Sequence, residues 1–304
     1  MHPCAILVVN ANPLLNLVHV GAFERGAINR VASMPLHAEG KGVNVARVLA
    51  RLGHHVMLTG FAGGHSGAWL RDQVRAEGID EIFIATEAPV RVGFMASCPR
   101  DEHPTTLLPQ GFPVTAQECD ALVEQVRGRL AETALLIISG SVPDPMAHDL
   151  YRKLLEQCQL AGIPCWLDAH GPALARALEG SAPPDLAKPN RQEFAQTRHW
   201  TCVPELHITD GDRAVEIRSQ QEGYWRVTPP VIRQVNPIGS GDCYLAGLAH
   251  GWLQGLPLVE RLKLASAAGA ANALRPDVAM IEGHDIEGLI DQVIVDPVPV
   301  NDPD

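Results

Sequence analysis

The chain has 304 residues, 46% hydrophobic and 19% charged, with a formal net charge of −11. That size provides for one large globular unit or two, and the acidic surplus gives no general attraction to nucleic acid or anionic lipid, so an anionic ligand must be met by a local cluster of cations and N–H groups. No apolar run approaches the roughly 20 residues that span a bilayer, no leader-like segment opens the chain, and seven scattered cysteines without a C-x-x-C indicate reduced thiols in the cytoplasm, not disulfides or structural zinc.

In chain order, Ala5-Ile6-Leu7-Val8-Val9 is a continuous apolar run and reads as a buried strand. Mixed polarity follows to Glu39. Gly40-Lys41-Gly42 then opens a helix with Val43, Val45, Ala46, Leu49 and Leu52 on one side and Gly53 at its end. Val56 to Phe61 is a strand, and Gly63-Gly64 leads into a helix through Arg75. Ile79 to Thr86 and Val90 to Cys98 read as further strands. Thr115, with Glu118 three residues on, caps a helix to about Ala131. Strands ending at Ser139, Asp168, Lys188 and Thr209 then alternate with helices at Asp149 to Leu160 and Pro172 to Leu178. Gly239 to Leu253 and Leu258 to Leu274 are long Ala/Gly-rich helices. The Pro- and Asp-rich tail from Val295 reads as disordered. This alternation predicts an α/β fold, a mostly parallel sheet covered on both faces, with ligands at the carboxyl ends of the strands.

Three segments carry chemistry. Asn236-Pro237-Ile238-Gly239-Ser240-Gly241-Asp242 places glycines and an aspartate at a helix start, where free N–H groups and the helix dipole favour an anion. A carboxylate there can take the proton of an attacking hydroxyl; it can equally be a helix cap. Glu39-Gly40-Lys41-Gly42-Val43-Asn44 repeats the glycine-rich start with a cation for an anionic group and an amide for a hydroxyl. Taken alone it is also a turn with a solvated lysine. Lys188-Pro189-Asn190-Arg191-Gln192-Glu193 has the spacing of a capping box, which explains Asn190 and Glu193 without any ligand.

Together and in this order, with Asn12-Pro13, Ser139-Gly140-Ser141-Val142-Pro143 and Gly247, these segments resemble the ribokinase-like (pfkB) carbohydrate kinases over essentially the whole chain. Lys41 between two glycines and the Asn-Pro before Gly239 are similar to the 1-phosphofructokinase and tagatose-6-phosphate kinase branch. The resemblance implies a three-layer α/β/α sandwich with a small β-sheet lid. The large domain would comprise 1–10, 39–87 and 113–304, the lid 11–38 and 88–112. It implies ATP and Mg2+ as cofactors, a phosphorylated sugar as substrate, and a homodimer formed through the lid, with no nucleic acid or membrane partner. Asp242 would be the base, and the N–H groups of Gly239, Ser240 and Gly241 the anion hole. Asn16, Gly40, Lys41, Asn44 and Ser139 would hold the sugar. Arg91, more weakly Arg25 and Arg30, would meet the substrate's phosphate. Lys188, Asn190, Glu193, Thr209, Gly211 and Asn272 would face the nucleotide. Glu193 would serve the metal through water, and Asp168 is a weaker candidate for it.

The chain departs from the family pattern in two places. Asn16 stands where a sugar-binding Asp is expected, and about a dozen residues join Glu193 to Leu206 where a longer helical excursion is usual. Three readings follow. The first is a kinase for a phosphorylated ketohexose. The others are a kinase for an uncharged sugar or nucleoside, and a non-catalytic binding protein on the same fold. No G-x-G-x-x-G follows the first strand, which argues against a dinucleotide-binding oxidoreductase.

Overall fold

The computed structural model describes residues 5–98 and 103–299. Cys4 and the tail from Val300 lie outside the described residues. The strands are β1 (Ala5–Asn10), β2 (Leu14–Val20), β3 (Leu36–Glu39), β4 (His55–Gly60), β5 (Asp80–Glu81), β6 (Arg91–Ser97), β7 (Thr105–Leu107), β8 (Thr133–Ser139), β9 (Cys165–Asp168), β10 (Leu186–Ala187), β11 (Glu205–Ile208), β12 (Val215–Ser219), β13 (Gly223–Thr228) and β14 (Ile294–Pro297). The helices are α1 (Lys41–Arg51), α2 (Gly64–Ala76), α3 (Ala116–Arg129), α4 (Leu150–Ala161), α5 (Pro172–Leu178), α6 (Arg191–Phe194), α7 (Ser240–Leu253), α8 (Leu258–Ala273) and α9 (Gly283–Ile290).

The main sheet has ten strands in the order β14-β13-β12-β11-β10-β9-β8-β1-β4-β5. It is parallel from β5 to β11 and antiparallel from there to β14. Every side chain of β1, an interior strand between β8 and β4, is buried. That is what a strand covered on both faces requires, and why it reads as an unbroken apolar run. One face packs on Val45, Leu49, Leu245 and Leu262 from α1, α7 and α8. The other packs on Leu122, Leu154 and Leu174 from α3, α4 and α5. A separate four-stranded sheet, β3-β2-β6-β7, stands apart from the main one. Its central pair, β2 and β6, is parallel, and Asn16 lies opposite Gly93.

Local signals explain most boundaries. Thr115 and Glu118 form the expected capping box at α3. Pro172 opens α5, and Gly162, in the left-handed region at φ 67°, ends α4. Two expectations need correction. Ile79 to Thr86 is not a continuous strand: only Asp80–Glu81 pairs, with one further bridge from Ile84 to Phe61. The segment from Val295 begins ordered: Ile294–Pro297 pairs with β13, and Val295 lies opposite Val227. Its Pro and Asp suit an edge strand, where missing donors and charge are tolerated.

Candidate active site

β1 ends at Asn10, which is buried, and α1 begins directly over it. Asn10 Oδ1 accepts from the Val43 N–H at 3.0 Å. A Cβ on Gly40 would fall 2.5 Å from Asn10 Oδ1, and one on Gly42 2.6 Å from Asn10 Cβ. Gly40 also has φ 138°, where side chains are strained. The Gly-Lys-Gly sequence is therefore a packing requirement: the backbone hugs Asn10 and presents Lys41 to the strand ends.

There Lys41 Nζ meets Asp168 Oδ1 at 3.0 Å and Glu193 Oε1 at 2.9 Å. Partial burial opposes its charge, but the carboxylates of Asp168, Glu193 and Asp242 outweigh that and hold its pKa above the usual lysine range. Asp168, at the end of β9, is fully buried, and its second oxygen pairs with Lys188 Nζ at 3.1 Å. Burial favours the neutral acid there, but Lys188 and Lys41 prevail and keep its pKa low. Ser139, beside Asp168 across β8 and β9, is also wholly buried, and its Oγ has no partner among the described residues.

α7 opens on Gly239 at φ 84°, a left-handed conformation that suits glycine; a Cβ there would also meet Val278 at 2.7 Å. Asp242 sits in the first turn, buried, accepting from Asn44 Nδ2 at 2.8 Å. Burial, then the charge of Asp168, push its pKa up to about 7, against the pull of Lys41, Asn44 and Lys188. Of the three N–H groups expected to form an anion hole, one is used within the protein. The Ser240 N–H is turned onto the Pro237 carbonyl at 3.1 Å, and its Oγ accepts from Asn272 at 3.0 Å. The Gly239 and Gly241 N–H groups remain, and Lys188 Nζ lies 3.3 Å from where a Gly241 Cβ would stand.

Two other residues expected to meet ligands make hydrogen bonds within the protein. Asn272 is fully buried: it donates to the Ile238 carbonyl at 2.8 Å and accepts from the Ala279 N–H at 2.7 Å. It braces the loop before α7. Arg91 donates to the carbonyls of Pro109 at 2.5 Å and Asn12 at 3.1 Å, so its guanidinium ties the crossings into the small sheet. Asn16 donates to Glu39 Oε2 at 2.9 Å. A carboxylate thus stands beside position 16, on the neighbouring strand β3. Asn190 and Glu193 form the capping box of α6, with Glu193 Oε2 accepting from the Asn190 N–H at 2.8 Å. Thr209 bridges to Asn190, and Gly211 turns at φ 63° in open space. The short link from 195 to 204 holds only a 3-10 turn, His199–Cys202, where Trp200 stacks on Phe194 at 5.6 Å.

Two residues that shape the site were not singled out in the sequence. Asn10 appears there only as the polar end of an apolar run. Arg47 is an arginine amid valines and alanines on the inner side of α1, three residues after Asn44, and it is 1% exposed. A charge at an apolar position of a helix is the signal that could have found it.

The whole-chain architecture matches solved structures. One described as a possible 1-phosphofructokinase from Thermotoga maritima superposes with a TM-score of 0.89 at 20% identity, covering 97% of this chain and 100% of that one. A protein provisionally assigned as a phosphofructokinase from Staphylococcus aureus gives 0.79 at 25%, covering 96% and 98%. Phosphofructokinase-2 from Escherichia coli in complex with fructose-6-phosphate gives 0.81 at 22%, covering 95% and 98%. The sequence itself carries the pattern of the pfkB family carbohydrate kinases from residue 15 to 281, which takes in α1, Asp168, Glu193 and Asp242: the chain belongs to the pfkB family of carbohydrate kinases.

Proposed function

We propose that this sugar kinase transfers the γ-phosphoryl group of ATP to a hydroxyl of a phosphorylated ketohexose: fructose 1-phosphate, tagatose 6-phosphate or fructose 6-phosphate. The observation that carries the reading is Asp242: a buried carboxylate in the first turn of α7, fixed by Asn44, facing Lys41 and Lys188. Asp242 takes the proton of the acceptor hydroxyl as its oxygen bonds to the γ-phosphorus, and ADP leaves with the electrons of the broken P–O bond. The Gly239 and Gly241 N–H groups and Lys188 stabilise the charge on the transferring group. Gly40, Asn44, Asn16 and Glu39 face the sugar. Asn190, Thr209 and Gly211 face the nucleotide.

The donor set fits Mg2+ held through water. Both Glu193 oxygens already hold Lys41 and a backbone N–H, and both Asp168 oxygens face lysines. No group of three metal-ligating side chains forms a ready cage among the described residues. Bound with ATP, Mg2+ neutralises phosphate charge. Asp168 is better read as the anchor of Lys41 and Lys188 than as a ligand.

Residues 11–38 and 88–112 act as the lid, excluding water that would compete for the phosphoryl group. The lid also supports a homodimer. Phe23 and Ile28 between β2 and β3, and Val92 and Leu107 on one face of the small sheet, are exposed apolar side chains that a partner would cover. Light scattering should give twice the chain mass, and Ile28→Asp with Leu107→Asp should return it to one; an unchanged dimer would sink the lid contact. Free cysteines at Cys98, Cys119, Cys158, Cys165, Cys202 and Cys243 support a reducing, cytoplasmic setting.

The test is an ADP-release assay with Mg2+ and ATP. The panel holds the three sugar phosphates, fructose, ribose and adenosine. Turnover of a phosphorylated ketose is the expected result. It should fall as pH drops through about 7, because a base pushed up to about 7 is protonated below it. Arg91's commitment to backbone carbonyls favours a second reading, a kinase for an uncharged sugar. Turnover confined to fructose, ribose or adenosine would establish it; no turnover on any would point to a binding protein.

A further inference from the structure

We infer that Arg47 is a positioning residue that fixes the amide of Asn44, so that its NH2 and not its carbonyl faces Asp242. The inference rests on Asp242 being the base. An asparagine amide turned by 180° keeps its shape but exchanges donor for acceptor, and only its partners decide which way it stands. Arg47 follows Asn44 by three residues on α1, the spacing that puts side chains on one helix face. Its Nη1 lies 3.3 Å from Asn44 Oδ1, while Asn44 Nδ2 donates to Asp242 Oδ2 at 2.8 Å. A guanidinium carries donors only, so beside Arg47 the turned amide would set donor against donor.

Arg47 is itself held from three sides. Nε and Nη2 grip the Glu77 carboxylate at 2.5 and 2.9 Å, and Nη2 also donates to the Ala38 carbonyl at 2.7 Å. Val43, Val45, Ala46 and Val48 around it on α1 are fully buried. An apolar side chain would fill that space at less cost than an ion pair. What an apolar side chain cannot do is donate to Asn44 Oδ1.

The groups facing Asp242 define the consequence. Asp168 at the end of β9 drives it toward the protonated form; Lys41 on α1 and Lys188 after β10 oppose that, as does the Asn44 NH2. Without Arg47 the amide can turn its carbonyl to Asp242, an arrangement that favours the protonated carboxyl, and the base is lost at higher pH.

The test is the kcat–pH profile of the full-length enzyme with the sugar it turns over. In Arg47→Met, which fills much of the space without a donor, the acid limb should move up by about one pH unit. kcat at pH 7 should fall more than KM for the sugar rises. Arg47→Lys keeps a donor for Asn44 and should return the limb most of the way. Glu77→Gln loosens the grip on Arg47 from the partly exposed end of the chain of bonds; it should give a smaller shift in the same direction, and it stands as the test if Arg47→Met does not fold. A folded variant that loses the same factor at every pH overturns the inference. If the wild type shows no acid limb, or Asp242→Asn keeps its turnover, the base reading fails instead.

Discussion

Asp242→Asn is expected to turn over about a thousandfold more slowly than the wild type, the scale of a lost general base. KM for the sugar should stay nearly unchanged. The substitution keeps the shape of the side chain and leaves an oxygen to accept from Asn44, so the architecture around α7 survives. The variant should also melt no lower than the wild type at pH 8. The folded carboxyl, pushed up to about 7, costs stability as pH rises from its ordinary range through 7, and the amide escapes that cost. Coupled ADP release and a thermal melt on the same preparation check both. Retained turnover would remove Asp242 from the chemistry; a collapsed melt would make it a structural residue.

Lys41→Met comes next in size. Among the described residues, the lysine is the one cation that touches both Asp168 and Glu193. Methionine fills much of the same volume without the charge. We expect kcat/KM to fall by about 100- to 1000-fold, the range for a lost charge-stabilising donor. Stability should fall by about 2 kcal/mol: less than for a fully buried pair, because the Lys41 side chain is 28% exposed and water screens part of the loss. Steady-state kinetics and a urea melt read the two effects separately. An unchanged kcat/KM with normal folding would reduce Lys41 to a structural tie.

The ability to read this molecule from its sequence varied with how local each cause is. α5 runs from Pro172 to Leu178 as expected, because its start and its apolar spacing lie within seven residues. The capping boxes at Thr115 and Asn190 are equally local. β12 and β13 form an antiparallel extension that could not be read from an α/β rhythm, and β14 looked like a tail because Asp296 and Pro297 are poor strand formers; their partner, β13, lies about 70 residues away. The site divides in the same way. Gly-Lys-Gly and Gly-Ser-Gly-Asp are visible as glycine-rich helix starts. That Asn272 braces a loop, that Ser240 points its N–H inward and that Glu39 sits beside Asn16 depend on contacts between distant segments. Sequence spacing carries no information about those.

The ends of the ten-stranded sheet bear on how the protein keeps from sticking to itself. An open sheet has two rims of unpaired backbone groups, each a template for a foreign strand. At one rim β5 is two residues long, both acidic and tied down: Asp80 to His55, Glu81 to Arg71 and Arg75. At the other, β14 covers β13, whose Tyr224-Trp225-Arg226-Val227-Thr228 has the aromatic and β-branched make-up of an aggregation-prone segment. β14 itself offers little to an incoming strand, since Pro297 has no N–H and Asp296 brings a charge. The residues that made this segment look like a loose tail make it a stopper, closing the sheet against its own copies.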